Sequence, residues 1–401
     1  MGAGMITRRM AMAGGAGAAV LAALGYRAWD RGMFSAGEGA AFDPWRDWQG
    51  TPGEGIRRPL HAAILAANPH DTQPWLFSAG GDTITVWADR ARNLGSFDPF
   101  RREMHLGLGC AIANLRFAAA SFGLFADVKP IAGRLTLSPP NTPAAVARIK
   151  MSPLPAGSFL AKHLPRTVAA IAARRTNRGP YLRDKPVPSA LLDAWPLLGG
   201  GEGPRVVFIA DDARHAAMRD IMIAATEAIV ADPEMSADSA RWFRTGRDEI
   251  EAHRDGVTMD TAGLSPWLLA AAKLLPDVSA KTADESWLTM TKDTQTATAP
   301  VFGMILVRDR LDVAQTLCAG QLWQTLHLMA TDQGIAAQPI NQPVEMIDRN
   351  AQLGRPDRFG PALGKLANMP GWEPTFTFRM GYAEHPAPHS PRRPLSAVIR
   401  A

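Results

Sequence analysis

The chain has 401 residues, 46% of them apolar and 20% charged, which suffices for one large core or two and excludes a disordered polymer. Its formal charge of +5 and pI near 9.5 come from basic residues interleaved with acids, and with no basic tract the charge carries no nucleic-acid reading. Cys110 and Cys318 are the only cysteines, without a CxxC or metal-ligand spacing, so neither a zinc site nor a disulfide framework is indicated. They leave one bridge or, preferably, two separate thiols inside apolar helices.

Residues 1–28 open with Thr7-Arg8-Arg9-Met10, followed by an Ala/Gly-rich run from Ala11 to Leu24. That run spans 14 residues, short of the ~20 needed to cross a bilayer. The segment resembles a twin-arginine export signal, although it lacks Phe or Leu after Met10 and shows no A-x-A cleavage site ahead of Phe42. The resemblance implies export to the periplasm, or a membrane tether if the signal stays attached. A non-functional signal, a basic start followed by a chance helix, would leave the protein cytoplasmic.

Residues 29–56 hold six glycines between Gly32 and Gly55 along with Trp45 and Trp48, and read as a surface connector. The folded body starts near Arg57. Leu60 to Ala67 predicts a helix that stops at Asn68, because Pro69 disfavours a helical residue before it. Trp75–Phe77 and Thr83–Ala88 predict two strands joined by the glycine turn Ala79-Gly80-Gly81-Asp82. Glu103 to Phe122 predicts a long helix.

That helix has a counterpart. Gly109, Leu115, Ala119 and Gly123 match Gly320, Leu326, Ala330 and Gly334 at a constant offset (320 − 109 = 211). Ser189–Leu198 and Arg205–Ala210 echo Leu60–Ala67 and Thr83–Ala88. The expectation is an α+β fold built twice, with repeats over 57–160 and 161–401. The second repeat carries an insertion at about 233–298, whose apolar Trp242, Phe243, Ile250, Trp267, Leu268 and Leu269 predict short helices packed on the body as a lid.

Two strings carry chemistry. Asn68 to Trp75 reads NPHDTQPW, a proline-bounded loop offering amide and imidazole groups to a flat heteroaromatic edge. Arg174 to Arg178 reads RRTNR, a guanidinium cluster suited to a phosphate dianion. Flavin mononucleotide has both parts. His385 and His389 are separated by Pro386 and Pro388, which forbid the helix a metal pair would need. No G-x-S-x-G, Walker or Rossmann pattern is present in a suitable setting.

With DPFRREMHLGLGC, AQPINQP and FRMGYAEHPAPHSPRRPL in this order, the chain from Leu60 onward resembles the nitroreductase superfamily of FMN enzymes, in particular its tandem-duplicated Acg-like branch. The resemblance implies a pseudo-dimer in which one chain stands in for two subunits, with helices around mixed or antiparallel sheets and a monomeric state. It places the phosphate pattern on Arg174, Arg175, Thr176 and Arg178, and the partner-type loop on Pro69, His70, Asp71 and Gln73. The loop facing the flavin's redox-active nitrogen falls on Gln338, Pro339, Ile340 and Asn341, with backbone N–H donors. Arg392 and Arg393 would complete the phosphate clamp. Many relatives have Asn where this chain has Asp71, a residue expected to hold its own loop through backbone N–H groups.

The mirror site lacks both walls, since Arg57-Arg58 is followed by Pro59 and the matching loop is Gly199-Gly200-Gly201-Glu202-Gly203. One FMN per chain is therefore expected. Two functions stay open: an oxidoreductase acting on nitro compounds, quinones or similar planar acceptors with an unassigned electron donor, or an FMN-sequestering protein with a lidded flavin and little turnover. No catalytic side chain is assigned, and no metal.

Overall fold

A computed structural model describes residues 21–155 and 159–400. The twin-arginine motif lies outside the described residues. The architecture is α+β, with two four-stranded antiparallel sheets, one long helix packed on each, and the two helices packed on each other.

The first sheet contains β1 (Trp75–Gly80), β2 (Thr83–Ala88), β3 (Leu124–Pro130) and β4 (Ala144–Pro153) in the order β1-β2-β4-β3. Its hairpin runs from Trp75 opposite Ala88 to Gly80 opposite Thr83, and turns at Gly81 with φ 57°, a conformation that favours glycine. The second sheet contains β5 (Arg205–Ile209), β6 (Val301–Val307), β7 (Ala336–Pro339) and β8 (Glu373–Gly381) in the order β5-β6-β8-β7. In this order Arg205–Ile209 holds the edge position that Trp75–Gly80 holds in the first sheet. Along the chain, residues 210–300 separate β5 from its sheet neighbour β6, whereas β1 and β2 are joined by a tight turn.

Strand sequence follows environment. TITVWA of β2 alternates buried and part-buried positions, whereas VFGMILV of β6 is buried throughout. The outer face of the second sheet is covered by a core of its own around Ile209, Met218, Met222, Phe302 and Met304.

The helices that position the site are α1 (Arg102–Ser121), α2 (Phe159–Ala173) and α4 (Val313–Asp332), and α3 (Pro266–Leu274) lies in the inserted segment. Helices α1 and α4 cross at Gly109 and Gly320. A Cβ on Gly109 would lie 2.2 Å from the Leu317 carbonyl oxygen, and one on Gly320 would lie 2.0 Å from that of Leu106, so only glycine permits this approach. The thiol of Cys110 donates to the Gly320 carbonyl at 3.2 Å, and both cysteines are free.

Farther along the crossing, Gln324 donates to the Asn114 side chain at 2.8 Å. Asn114 donates to Ala62 O and Gln324 accepts from Ala67 N–H, which fastens the crossing to the run leading into the NPHDTQPW loop. Regular helix there covers only Leu60–Ala63 and turns carry the rest, since Gln324 replaces the helical partner of Ala67.

The inserted segment forms helices Pro233–Ala240, Arg247–His253, α3 and Ala280–Met290, with a two-stranded parallel pairing of Phe243–Arg244 to Val257–Thr258. Its expected packing holds for Trp242, Ile250 and Leu269, which are part-buried, but Phe243, Trp267 and Leu268 face outward.

Candidate functional site

The loop after Ala67 is fixed by Asn68. Its side-chain oxygen accepts the Gln73 N–H at 2.7 Å, while its amide nitrogen donates to Ala66 O at 3.2 Å and to the Asp71 carboxylate at 3.1 Å. His70, Asp71 and Gln73 take φ of 47°, 53° and 49°, a left-handed conformation costing on the order of 1 kcal/mol each. Pro69 seats on α1 where Gly107 leaves room, since a Cβ there would stand 3.0 Å from Pro69 Cδ.

From the end of α2 the chain runs extended. Thr176 bridges Ala337 of β7, and Asn177 N–H donates to Ala337 O at 3.3 Å. His327 of α4 hydrogen-bonds the Arg175 carbonyl through Nε2 at 2.9 Å. The C-terminal segment returns to the first half, where residue 399 bridges Phe77 and Arg392 N–H donates to Ala41 O at 2.7 Å. These paths bring Asp71, Arg174, Arg175, Thr176, Arg178 and Arg392 onto one open-mouthed cavity. The inserted segment supplies Gly256, Val257 and Thr261 to the same lining.

Trp45 also lines this cavity, although the sequence reads its segment as a surface connector. It is buried, stacks on His389 at 4.3 Å between ring centroids, and donates from Nε1 to Ser390 O at 2.8 Å. The guanidinium carbons of Arg392, Arg175 and Arg174 stand 4.8, 5.2 and 5.9 Å from its ring centroid, within reach of cation–π attraction. An aromatic residue in a glycine-rich stretch was the only sequence signal for this role.

The cavity's electrostatics are lopsided. Four guanidinium groups face one carboxylate, that of Asp71, which pairs with Arg392. Burial, then repulsion from Arg392 and Arg175, brings the Arg174 pKa down to about 9; burial and Arg392 bring Arg175 to about 10. Burial lowers Arg178 and Arg392 against the pull of Asp71. Burial raises Asp71 to about 6, opposed by Arg392 and Asn68. The Nε atoms of Arg174 and Arg392 and one Asp71 oxygen are buried without a hydrogen-bond partner. Buried cations with spare N–H groups favour a counter-anion, and a phosphate dianion matches the charge and donor set.

The remaining expected residues do not line this cavity. His70 bonds Ser239 Oγ at 3.0 Å and meets Phe97 edge-on; burial, then Arg178, lowers its pKa to about 4, so it is neutral at pH 7. Gln73 donates to Arg254 O at 2.8 Å and accepts the Arg393 N–H at 2.8 Å, which makes both structural ties. The Arg393 guanidinium turns to Ala397 O at 3.0 Å rather than joining the clamp. Gln338 accepts from Arg379 at 2.7 Å, and Asn341 donates to Glu103 and accepts the Thr377 N–H at 2.9 Å. Pro339 pairs with Phe378, and the expected backbone donor Ile340 gives its N–H to Thr377 O at 3.0 Å. Asp71, expected to hold backbone N–H groups, instead pairs its carboxylate with Arg392 and Asn68.

No protein-family model matches the chain. The "Putative NAD(P)H nitroreductase Rv3131" of Mycobacterium tuberculosis is 28% identical over 368 residues, covering 86% of this chain and 91% of the relative. The "Putative NAD(P)H nitroreductase acg" of the same organism is 27% identical over 360 residues, covering 86% and 95%. The chain is similar to these two relatives over 86% of its length. Among solved structures, an FMN and NADPH-dependent nitroreductase, NfnB from "sphigopyxis sp. strain HMH", aligns with a TM-score of 0.39 and 19% identity over 59% of this chain and 98% of its own. The FMN-dependent NfnB of Mycobacterium smegmatis, solved with NADPH, gives 0.37 and 16% over 59% and 97%.

Proposed function

We propose that this chain binds one FMN and works as a nitroreductase-type oxidoreductase that reduces nitro compounds, quinones or similar planar acceptors. The observation that carries the reading is the arginine cavity, whose four guanidiniums against one carboxylate leave spare N–H groups for a phosphate. Arg174, Arg175, Arg178 and Arg392 hold the phosphate, with the Thr176 hydroxyl beside them. Bound FMN supplies the electron-transfer chemistry, so no protein nucleophile is needed. The names of the relatives suggest NAD(P)H as the donor.

The chain is also read as a duplicated nitroreductase unit. Two sheets of the same strand order, two long helices 211 positions apart, and the meeting of Gly109 with Gly320 at their crossing support this. On that reading one chain does the work of a dimer, and only one of its two related sites keeps the arginines.

A second reading, sequestration of FMN with little turnover, is favoured by one feature. The inserted segment is fastened over the cavity: Gly256 N–H donates to Asp71 O at 3.1 Å, and Arg178 donates to Thr261 O at 3.0 Å. Anaerobic mixing of the flavin-loaded protein with NADPH, NADH and a quinol decides between them. Loss of the flavin's visible absorbance with any of these donors supports the oxidoreductase. Loss with dithionite alone supports sequestration, and absence of bound flavin after reconstitution overturns both.

A further inference from the structure

Of the 14 large apolar side chains exposed on the described surface, nine fall in two short stretches, residues 21–34 and 267–278. Phe34 is 81% exposed and Trp267 87%, and Leu21, Trp29, Leu268 and Leu275 of the same two stretches are exposed as well. The stretches are locked side by side. The Arg31 guanidinium meets both Asp277 oxygens at 2.8 Å, Arg27 Nε donates to Leu275 O at 3.1 Å, and buried Lys273 donates to Gly32 O at 3.1 Å and to Asp260 at 2.7 Å. Charged groups thus tie the helix over residues 21–30 to α3, while the large apolar groups point away from the body. That is the reverse of an ordinary water-facing surface, and a patch of this kind marks a contact site.

We propose that this face seats on a lipid bilayer surface. The 20 residues that precede the described chain join it at Leu21, on this face, and carry Arg8 and Arg9 followed by an apolar run that starts at Ala11 and continues to Leu24 inside the described helix. Trp29 and Trp267 are side chains suited to the boundary between lipid and water, and exposed Arg247, whose guanidinium lies 5.5 Å from the Trp29 ring, adds a positive group for an anionic leaflet. The contact proposed is a surface seat of these two stretches; among the described residues no helix is long and apolar enough to cross a membrane. It is independent of the flavin reading, since none of these residues lines the arginine cavity.

The test is co-sedimentation of the full chain with vesicles of phosphatidylglycerol and phosphatidylcholine, compared with the full-length triple variant Trp29→Ser, Trp267→Ser, Leu268→Ser. The variant should partition at least about tenfold less, with unchanged flavin content and unfolding midpoint. Three outcomes overturn the proposal: a wild type that ignores vesicles, a variant that binds them as well as wild type, or a wild-type dimer in lipid-free solution that the variant abolishes, which would make a second copy the occupant.

Discussion

Asp71 and Arg392, 321 residues apart, form a buried ion pair at the wall of a cavity that holds three further guanidiniums. The pair joins the strained loop of the first half to the returning C-terminal segment. It also sets a pH dependence. With the Asp71 pKa at about 6 in the folded chain and near 3.8 when unfolded, the folded state holds an extra proton between those values. Stability from this group is therefore present below the window and falls as pH rises through it. The unfolding free energy of wild type minus that of Asp71→Asn should drop by on the order of 1 to 3 kcal/mol between about pH 4 and 7. Urea denaturation of the apoproteins across that range checks it, and a pH-independent difference contradicts it.

Arg178 and Arg393 separate clamp from scaffold. Arg178→Ala removes a charge-assisted contact of about 1.5 to 3 kcal/mol, so FMN affinity should fall by about one to two decades. Arg393→Ala, outside the cavity, should change it by about twofold. Equal losses in the two variants, read by fluorescence titration, would show the clamp to be misassigned.

Trp45 is predicted to be the packing centre of the cluster. Truncation to Ala should cost about 3 to 5 kcal/mol of stability, the scale for a buried aromatic, whereas Phe keeps a ring face beside the guanidiniums and should cost about 1 to 2 kcal/mol. Chemical denaturation distinguishes these from an alanine variant of native stability, which would return the segment to the role of a connector.

Two glycines, one at the crossing of α1 and α4 and one away from it, are predicted to respond with opposite signs. Gly109→Ala drives a Cβ into the Leu317 carbonyl and should cost about 3 kcal/mol or more. Gly364→Ala, in the helix Phe359–Ala367 with nothing within 4 Å of the new Cβ, should stabilise by about 0.5 to 1 kcal/mol. Unfolding midpoints that shift together would contradict the close approach.

The sequence made the local elements and the arginine cluster legible because each is written in short-range pattern: alternation in TITVWA, a glycine turn at Gly81, RRTNR after an apolar helix. Strand neighbours were less legible, since β5 pairs with a strand that follows it by a long insertion. Side-chain destinations were least legible. The Gln73 side chain is tied to the Arg254 carbonyl and the Arg393 N–H, and the backbone N–H of Ile340 is taken by the Thr377 carbonyl, partners that only the tertiary fold supplies. Trp45 escaped for the converse reason, because its glycine-rich surroundings read as solvent-exposed while the Arg392 segment folds over them.

Titration of the apoprotein with FMN and, in parallel, with riboflavin tests the central claim that the arginine cavity holds one flavin phosphate. One equivalent of FMN should bind per chain, and riboflavin should bind more weakly by about a hundredfold or more, because two or three charge-assisted contacts are missing. Two equivalents of FMN, or riboflavin bound as tightly as FMN, would contradict it.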